Sequence, residues 1–253
     1  MEFDSKRELL WVEWQTLAGH FSDDVIIIGE WFRDILDAYS EPQRRYHNLS
    51  HIYAMILNYR HFQQELTYPK TVLFAIFFHD MVYDPQSPDN EEESVKLFES
   101  CASDLGVDSE VISETSAMIR LTASGHRTAE HDSDTPFRAR DIHYFLDFDL
   151  AILGSNPVEY TIYAKQIREE YSHVPDEEFC GRRADILGKF LERKHVFASR
   201  EFRQFAEKRA RENVEREVEI LRGRARQLEM SKTHTCGKGQ TGEEGGGGED
   251  GEV

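Results

Sequence analysis

The chain has few cysteines, no long apolar run and fewer basic than acidic residues, and each deficit excludes a class of protein. Its three cysteines, Cys101, Cys180 and Cys236, are scattered and never in a CxxC spacing, so we expect free thiols rather than a disulfide framework or a zinc knuckle. No segment approaches the ~18 consecutive apolar residues of a membrane span, and the start, MEFDSKRELL, lacks the basic-then-apolar order of a signal peptide. These patterns predict a cytoplasmic protein without a membrane partner.

The charge balance bears on the partners of the protein. A formal net charge of −18 argues against a broad nucleic-acid surface, which requires a basic face. Part of this charge lies in residues 232–253, where THTCGKGQTGEEGGGGEDGEV has no hydrophobic period and predicts a disordered tail. The remainder is still acidic, so a small anionic substrate would need local cations or a metal ion.

Hydrophobic spacing predicts the fold class. Almost every segment of residues 1–231 repeats its apolar positions at helical intervals, and strand signals are nearly absent. We therefore expect one all-α domain, a helical bundle, with a polar loop at residues 124–136 and the disordered acidic, glycine-rich tail after it.

Several helix ends are also predicted. Ser22 is available to cap the second helix, and Gly106 is a natural terminator of a later one. TVLFAIFFHDMVYD is apolar enough for a buried strand or a buried helix, but its length and neighbours favour a helix that starts near Pro69 and stops at Asp84-Pro85.

RRYHNLSHIY, residues 44–53, places two histidines four positions apart. On one helix His47 and His51 would share a face and could point at a common metal, phosphate or carboxylate. The alternative is that His51 is a partly buried histidine satisfied by a backbone carbonyl, while His47 lies on the surface.

Two further segments place acids within apolar runs. In FAIFFHDMVYD, His79 and Asp80 follow an apolar run. This indicates either a carboxylate paired with a helix end or an arginine, or a site for a divalent transition ion. In HYFLDFDLAILG, Asp147 and Asp149 would face opposite sides of a helix. One of them is then expected to be a ligand and the other a cap or a supporting group.

The segments YHNLSHI, FFHDMVYD and LDFDLAILG, in this order, resemble the HD-domain superfamily of metal-dependent phosphohydrolases, and most closely its uncharacterised predicted HD phosphohydrolase subgroup. The resemblance continues through PDNEEES, IYAKQIREEYSHVPDEEF, RRADILGKFLER and ARENVEREVE, and so covers about Tyr46 to Glu219. It implies an all-helical bundle that hydrolyses phosphoesters.

The resemblance also implies roles for the polar residues. His51, His79, Asp80 and Asp149 would bind a divalent cation such as Mn, Mg, Co, Ni, Zn or Fe, and His47 would be the catalytic general acid. The reverse assignment, in which His47 binds the metal and His51 supports it, is compatible with the same spacing.

A second set of residues is expected near the substrate. Related enzymes place a carboxylate that positions water where Glu91 and Glu92 lie, and we select Glu92 as catalytic; an acidic first helical turn is the alternative. The candidate substrate-binding residues are His126, Arg168, Tyr171 and Arg183. His126 is otherwise a loop residue, and Arg168 is otherwise part of a solvated helix face.

The expected activity is metal-dependent hydrolysis of a small phosphorylated substrate, a nucleotide or another phosphomonoester or phosphodiester. Two other functions stay open: an HD-type di-iron oxygenase, which needs more ligands than the clear set, and a catalytically silent binding module in which the metal is structural. The mixed-charge C-terminal helix indicates either a homodimer surface or a solvated face.

Overall fold

The computed structural model describes residues 2–123 and 138–236, and the regular elements in these ranges are all helical. The helices are α1 (Glu2–Ala18), α2 (Val25–Ala38), α3 (Leu49–Phe62), α4 (Pro69–Phe78), α5 (Asn90–Leu105), α6 (Ser109–Ala123), α7 (Arg138–Leu150), α8 (Pro157–Glu170), α9 (Asp176–Glu192), α10 (Arg200–Phe205) and α11 (Glu207–Cys236), with short 3-10 turns at Gln63–Glu65 and Ala151–Gly154. The all-α prediction is confirmed.

Two expected irregular segments fall largely outside this description. The polar loop 124–136, which includes His126, lies outside the described residues. Helix α11 runs to Cys236, into the segment for which a tail was expected from residue 232, and residues 237–253 lie outside the description. Cys101 and Cys180 are buried free thiols, as expected. None of the helices in the described part of the chain is long and apolar enough to cross a membrane.

The centre of the bundle is α4, whose residues from Thr71 to Phe78 are all buried. It packs against α1, α3, α5, α6 and α7. Trp14 of α1 contacts the rings of Phe74, Phe77 and Phe78. A helix enclosed on every side has no polar face, so its sequence shows no helical period. For this reason a buried strand was an alternative prediction for the same residues.

Helix α4 ends at Phe78 rather than at the predicted Asp84 stop. The buried guanidinium of Arg44 donates to the carbonyl oxygens of Asp80 at 2.6 Å and Met81 at 2.9 Å, which a continuing helix would have used internally. The Oγ of Ser94 accepts from the amide of Val82 at 3.0 Å. These side chains turn the backbone just after His79, at the end of the most buried helix.

The observed helix ends partly differ from the predicted ones. Asp24, not Ser22, caps α2 by accepting from two amides of its first turn, while the Oγ of Ser22 accepts from the amide of Asp24. Gly106 ends α5 in the left-handed region at φ 71°, as predicted. Asn48 caps α3, so His47 precedes the helix and does not share a helical face with His51.

Helices α10 and α11 are separated by a break at Ala206. Gly154, in the turn after α7, approaches this break so closely that a Cβ on it would lie 2.7 Å from the Cβ of Ala206. The close approach places the 3-10 turn after α7 directly against the break that begins α11.

Candidate metal centre

Four side chains from three helices converge at one end of α4. His51 lies in the first turn of α3, His79 and Asp80 in the turn that ends α4, and Asp149 at the end of α7. The Nε2 of His51 lies 3.3 Å from the Nε2 of His79, 3.9 Å from Asp80 Oδ2 and 3.1 Å from Asp149 Oδ1. The Nε2 of His79 lies 3.2 Å from Asp80 Oδ2 and 3.8 Å from Asp149 Oδ1. We call these four residues the His/Asp cluster.

These distances suit a shared metal ion. Ligand atoms about 2.1 Å from a tetrahedral ion are about 3.4 Å from one another, close to the separations observed here. His51, His79 and Asp80 could hold a metal ion. Asp149 lies beside this group, with its Oδ1 3.1 Å from His51 Nε2. With neutral imidazoles, the two carboxylates would balance the charge of a divalent cation.

The protein orients the cluster through hydrogen bonds outside it. His79 Nδ1 lies 3.0 Å from the carbonyl oxygen of Ile76, which can only accept, so Nδ1 donates and the neutral ring presents the Nε2 lone pair to the cluster. Burial alone would lower the pKa of His79, but Asp80 and Asp149 raise it to about 9. Burial would likewise raise the pKa of Asp80, yet the charge of His79 holds it well below its usual range. The carboxylates thus attract positive charge to this point.

His47 belongs to a separate pair beside the cluster. Its Nδ1 lies 2.7 Å from Oε2 of Glu170, and its ring centroid is 5.8 Å from that of His51. Burial disfavours the charged ring, but the hydrogen bond that His47 donates to Glu170 and the nearby carboxylates leave the pKa of His47 above its ordinary value. The side chain is 21% exposed and lines the cavity above the cluster. Only Nε2 is left to exchange a proton with a ligand.

Glu170 is a functional candidate that the sequence analysis did not select. Its Oε1 accepts from the amides of Arg45, Tyr46 and His47 at 2.7, 2.7 and 3.0 Å, and Oε2 accepts from the Tyr83 hydroxyl at 2.9 Å. The sequence did contain a signal. The buried residues Tyr160 and Ile167 of α8 and Glu170 are spaced seven and three apart and lie on one helical face. An acid on an apolar stripe needs buried partners.

The two aspartates of α7 face opposite ways, as predicted. Asp147 is buried and accepts from the amides of Ala198 at 2.7 Å and Ser199 at 2.6 Å, just before α10. Asp149 points to His51. The preference for Asp149 over Asp147 as the residue of the cluster agrees with this geometry.

The expected substrate-binding residues are not all brought together. Tyr171 lines the cavity above the cluster, whereas Arg183 lines a neighbouring chamber and pairs with Glu217 at 2.5 Å. Arg168 is directed elsewhere, with its guanidinium on Asp176 at 2.8 Å and on the carbonyl of Val174 at 2.9 Å.

The two glutamates at the start of α5 differ in position. Glu92 forms two 2.8 Å hydrogen bonds with Arg120 on the exposed surface, and it is the neighbouring Glu91 that lines the cavity. The structure therefore does not bring Glu92 to the His/Asp cluster.

The cavity above the cluster, which we call the metal-side cavity, has a volume of about 370 Å³. Its wall includes Asp80 and Asp149, together with His47, Tyr83 and Tyr171. The size is that of a small-ligand site. Comparison with protein-family models, with curated proteins and with solved structures finds no match for this chain. The HD relationship therefore stays a prediction from its motifs.

Proposed function

We propose that the protein is a metal-dependent phosphohydrolase of the HD type, acting on a small phosphomonoester or phosphodiester. The observation that supports this most is the meeting of two buried imidazoles with two carboxylates that line one cavity, with a histidine beside them that is hydrogen-bonded to a different acid. A divalent ion held by His51, His79, Asp80 and Asp149 would lower the pKa of a bound water and polarise a phosphoryl oxygen.

The protein's own residues supply the proton for the leaving group. When His47 is protonated, Glu170 accepts from Nδ1 and stabilises the charge, and Nε2 can donate to the leaving oxygen. After donation the neutral ring keeps the proton on Nδ1, which still bonds to Glu170. Three backbone amides hold the other oxygen of Glu170, so the ring has a defined orientation.

The test compares two alanine variants of the histidine pair. His51→Ala should lose the metal, measured by elemental analysis of the purified protein. His47→Ala should keep the metal and lose turnover by about 10²- to 10⁴-fold, with a smaller loss for a 4-nitrophenyl ester, whose leaving group needs little protonation. His61→Ala, at an exposed histidine near the end of α3, is the matched control and should change neither property.

Other results would contradict the assignment. An empty site in His47→Ala, or an equal loss on good and poor leaving groups, would remove His47 from the role of acid. Two bound irons with oxygen uptake would favour the oxygenase instead, and tight metal binding without turnover of any phosphoester would favour the binding module.

A further inference from the structure

A second and larger cavity adjoins the metal-side cavity. It has a volume of about 760 Å³ and lies between α8, α9 and the turn that joins them. The two cavities share wall residues, including His47, Tyr163 and Tyr171. A ligand whose reacting group lies at the His/Asp cluster would therefore extend past His47 into this space, which we call the apolar chamber.

The inner wall of the apolar chamber consists mainly of hydrocarbon side chains, and His47, Tyr163, Tyr171 and Arg183 add polar groups to it. Its buried apolar members are Leu150, Leu153, Ile167, Phe179, Leu187 and Phe190. The polar lining residues Gln86, His173, Glu178 and Arg182 are exposed and so form a rim. A sugar or a base edge placed inside would lose hydrogen bonds to water and gain few in return, whereas an apolar group would gain from burial.

The charges around the two cavities limit the number of phosphate groups that a bound ligand can carry. Among the described residues, the wall of the metal-side cavity contains no lysine or arginine, and it adds the acids Asp84 and Glu91 to those of the cluster. In the chamber, Arg182 on the rim pairs with Glu178 at 2.5 Å. Arg183 is held by Glu217 and by the ring of Tyr163, 5.3 Å from its guanidinium carbon. Sites for polyphosphates bring several cations to the phosphate chain.

We infer that the ligand of this site is an ester carrying one phosphate group and an apolar body of aromatic size, which occupies the apolar chamber while the phosphate lies at the His/Asp cluster. This inference rests on the proposed function for the chemistry at phosphorus. The fit of the body to the chamber can be measured without any reaction.

The test measures equilibrium binding of phosphonates, whose P–C bond an ester hydrolase does not cleave. Metal-loaded protein is titrated by calorimetry with naphthylmethylphosphonate, methylphosphonate and the phosphonate analogue of adenosine monophosphate, in which a P–C bond replaces the ester bond. The naphthyl compound should bind at least about 30-fold more tightly than methylphosphonate, because an aromatic body buries a large apolar area. It should also bind more tightly than the nucleotide.

A matched pair of variants locates the binding. Ile186 lines the chamber and is 54% exposed, while Ile162 is 53% exposed and lies on α8 away from the chamber lining. Ile186→Asn should weaken naphthylmethylphosphonate about fivefold and leave methylphosphonate unchanged, because only the apolar contact is lost. Ile162→Asn should leave both unchanged. Both positions are exposed enough to accept asparagine without unfolding the domain.

The outcomes separate this inference from the proposed function. Equal binding of the naphthyl and methyl compounds, tighter binding of the nucleotide, or no difference between the two asparagine variants would overturn the inference even if 4-nitrophenyl phosphate were hydrolysed. The expected binding pattern without hydrolysis of any aryl phosphate would support the ligand class and refute the hydrolase.

Discussion

Replacement of Glu170 by glutamine should disable His47 without emptying the metal site. The amide keeps the shape of the carboxylate, and its oxygen can still accept from the three backbone amides that now bond to Oε1. Its NH₂ group would then face His47 Nδ1 and the Tyr83 hydroxyl, where Oε2 now accepts at 2.7 and 2.9 Å. Because two donors cannot bond to each other, His47 must release its Nδ1 proton and carry it on Nε2.

The consequence for catalysis follows from this tautomer. A neutral ring protonated on Nε2 would become an imidazolate if it gave that proton away, so Glu170→Gln should lower turnover by about 10²- to 10⁴-fold, the usual contribution of a general acid. Stability should fall by about 2 kcal/mol, because charge-assisted hydrogen bonds are replaced by neutral ones.

The stabilities of wild type and Glu170→Gln should also depend differently on pH. Burial would raise the pKa of Glu170, but its bonds to His47 and to backbone amides lower it from 4.5 to about 2. A carboxylate with a depressed pKa stabilises the fold above its unfolded value and loses that contribution on protonation. The stability difference between wild type and Glu170→Gln should therefore shrink as the pH falls from about 4.5 to about 2.

Three measurements check this prediction: ring-nitrogen NMR for the tautomer of His47, chemical denaturation for stability, and elemental analysis for metal. Glu169→Gln is the control, because Glu169 is 45% exposed and forms only long surface contacts, with Lys165 at 3.7 Å and Arg45 at 4.0 Å. Wild-type turnover with an unchanged His47 tautomer in Glu170→Gln would refute the role assigned to the pair. Loss of metal in the same variant would show that Glu170 supports the cluster instead.

Two other predictions concern α7 and its neighbours. Asp149→Asn should lower the metal content at nearly normal stability. Asp147→Asn should keep the metal and lower the melting temperature, because the substitution weakens the hydrogen bonds to the amides before α10. Loss of metal in both variants would contradict the opposed directions of the two side chains. Gly154→Ala should lower the free energy of unfolding by about 1 to 3 kcal/mol, because the new Cβ would meet Ala206. Gly181 has open space around it, so Gly181→Ala should leave the stability unchanged or raise it. Equal effects of the two variants in thermal melts would count against the close approach.

The sequence by itself determined the all-helical class, and its resemblance to the HD superfamily predicted which histidines and aspartates would cluster. Apolar positions recur at helical spacing through most of the chain, and that period is a local property. The opposed directions of Asp147 and Asp149 likewise follow from the rotation of about 100° per residue in a helix. His79 and Asp80 stood out because ionisable residues at the end of a wholly apolar helix require partners.

Only the tertiary structure decided which other groups those residues meet. The packing of α3 against α4 and α7 brings His51 to the cluster, while the end of α8 supplies Glu170 to His47 across more than a hundred residues of chain. Arg168 meets Asp176 rather than the metal-side cavity because the turn after α8 brings the start of α9 beside it. Such pairings depend on which faces of distant helices touch, and no local period in the sequence encodes them.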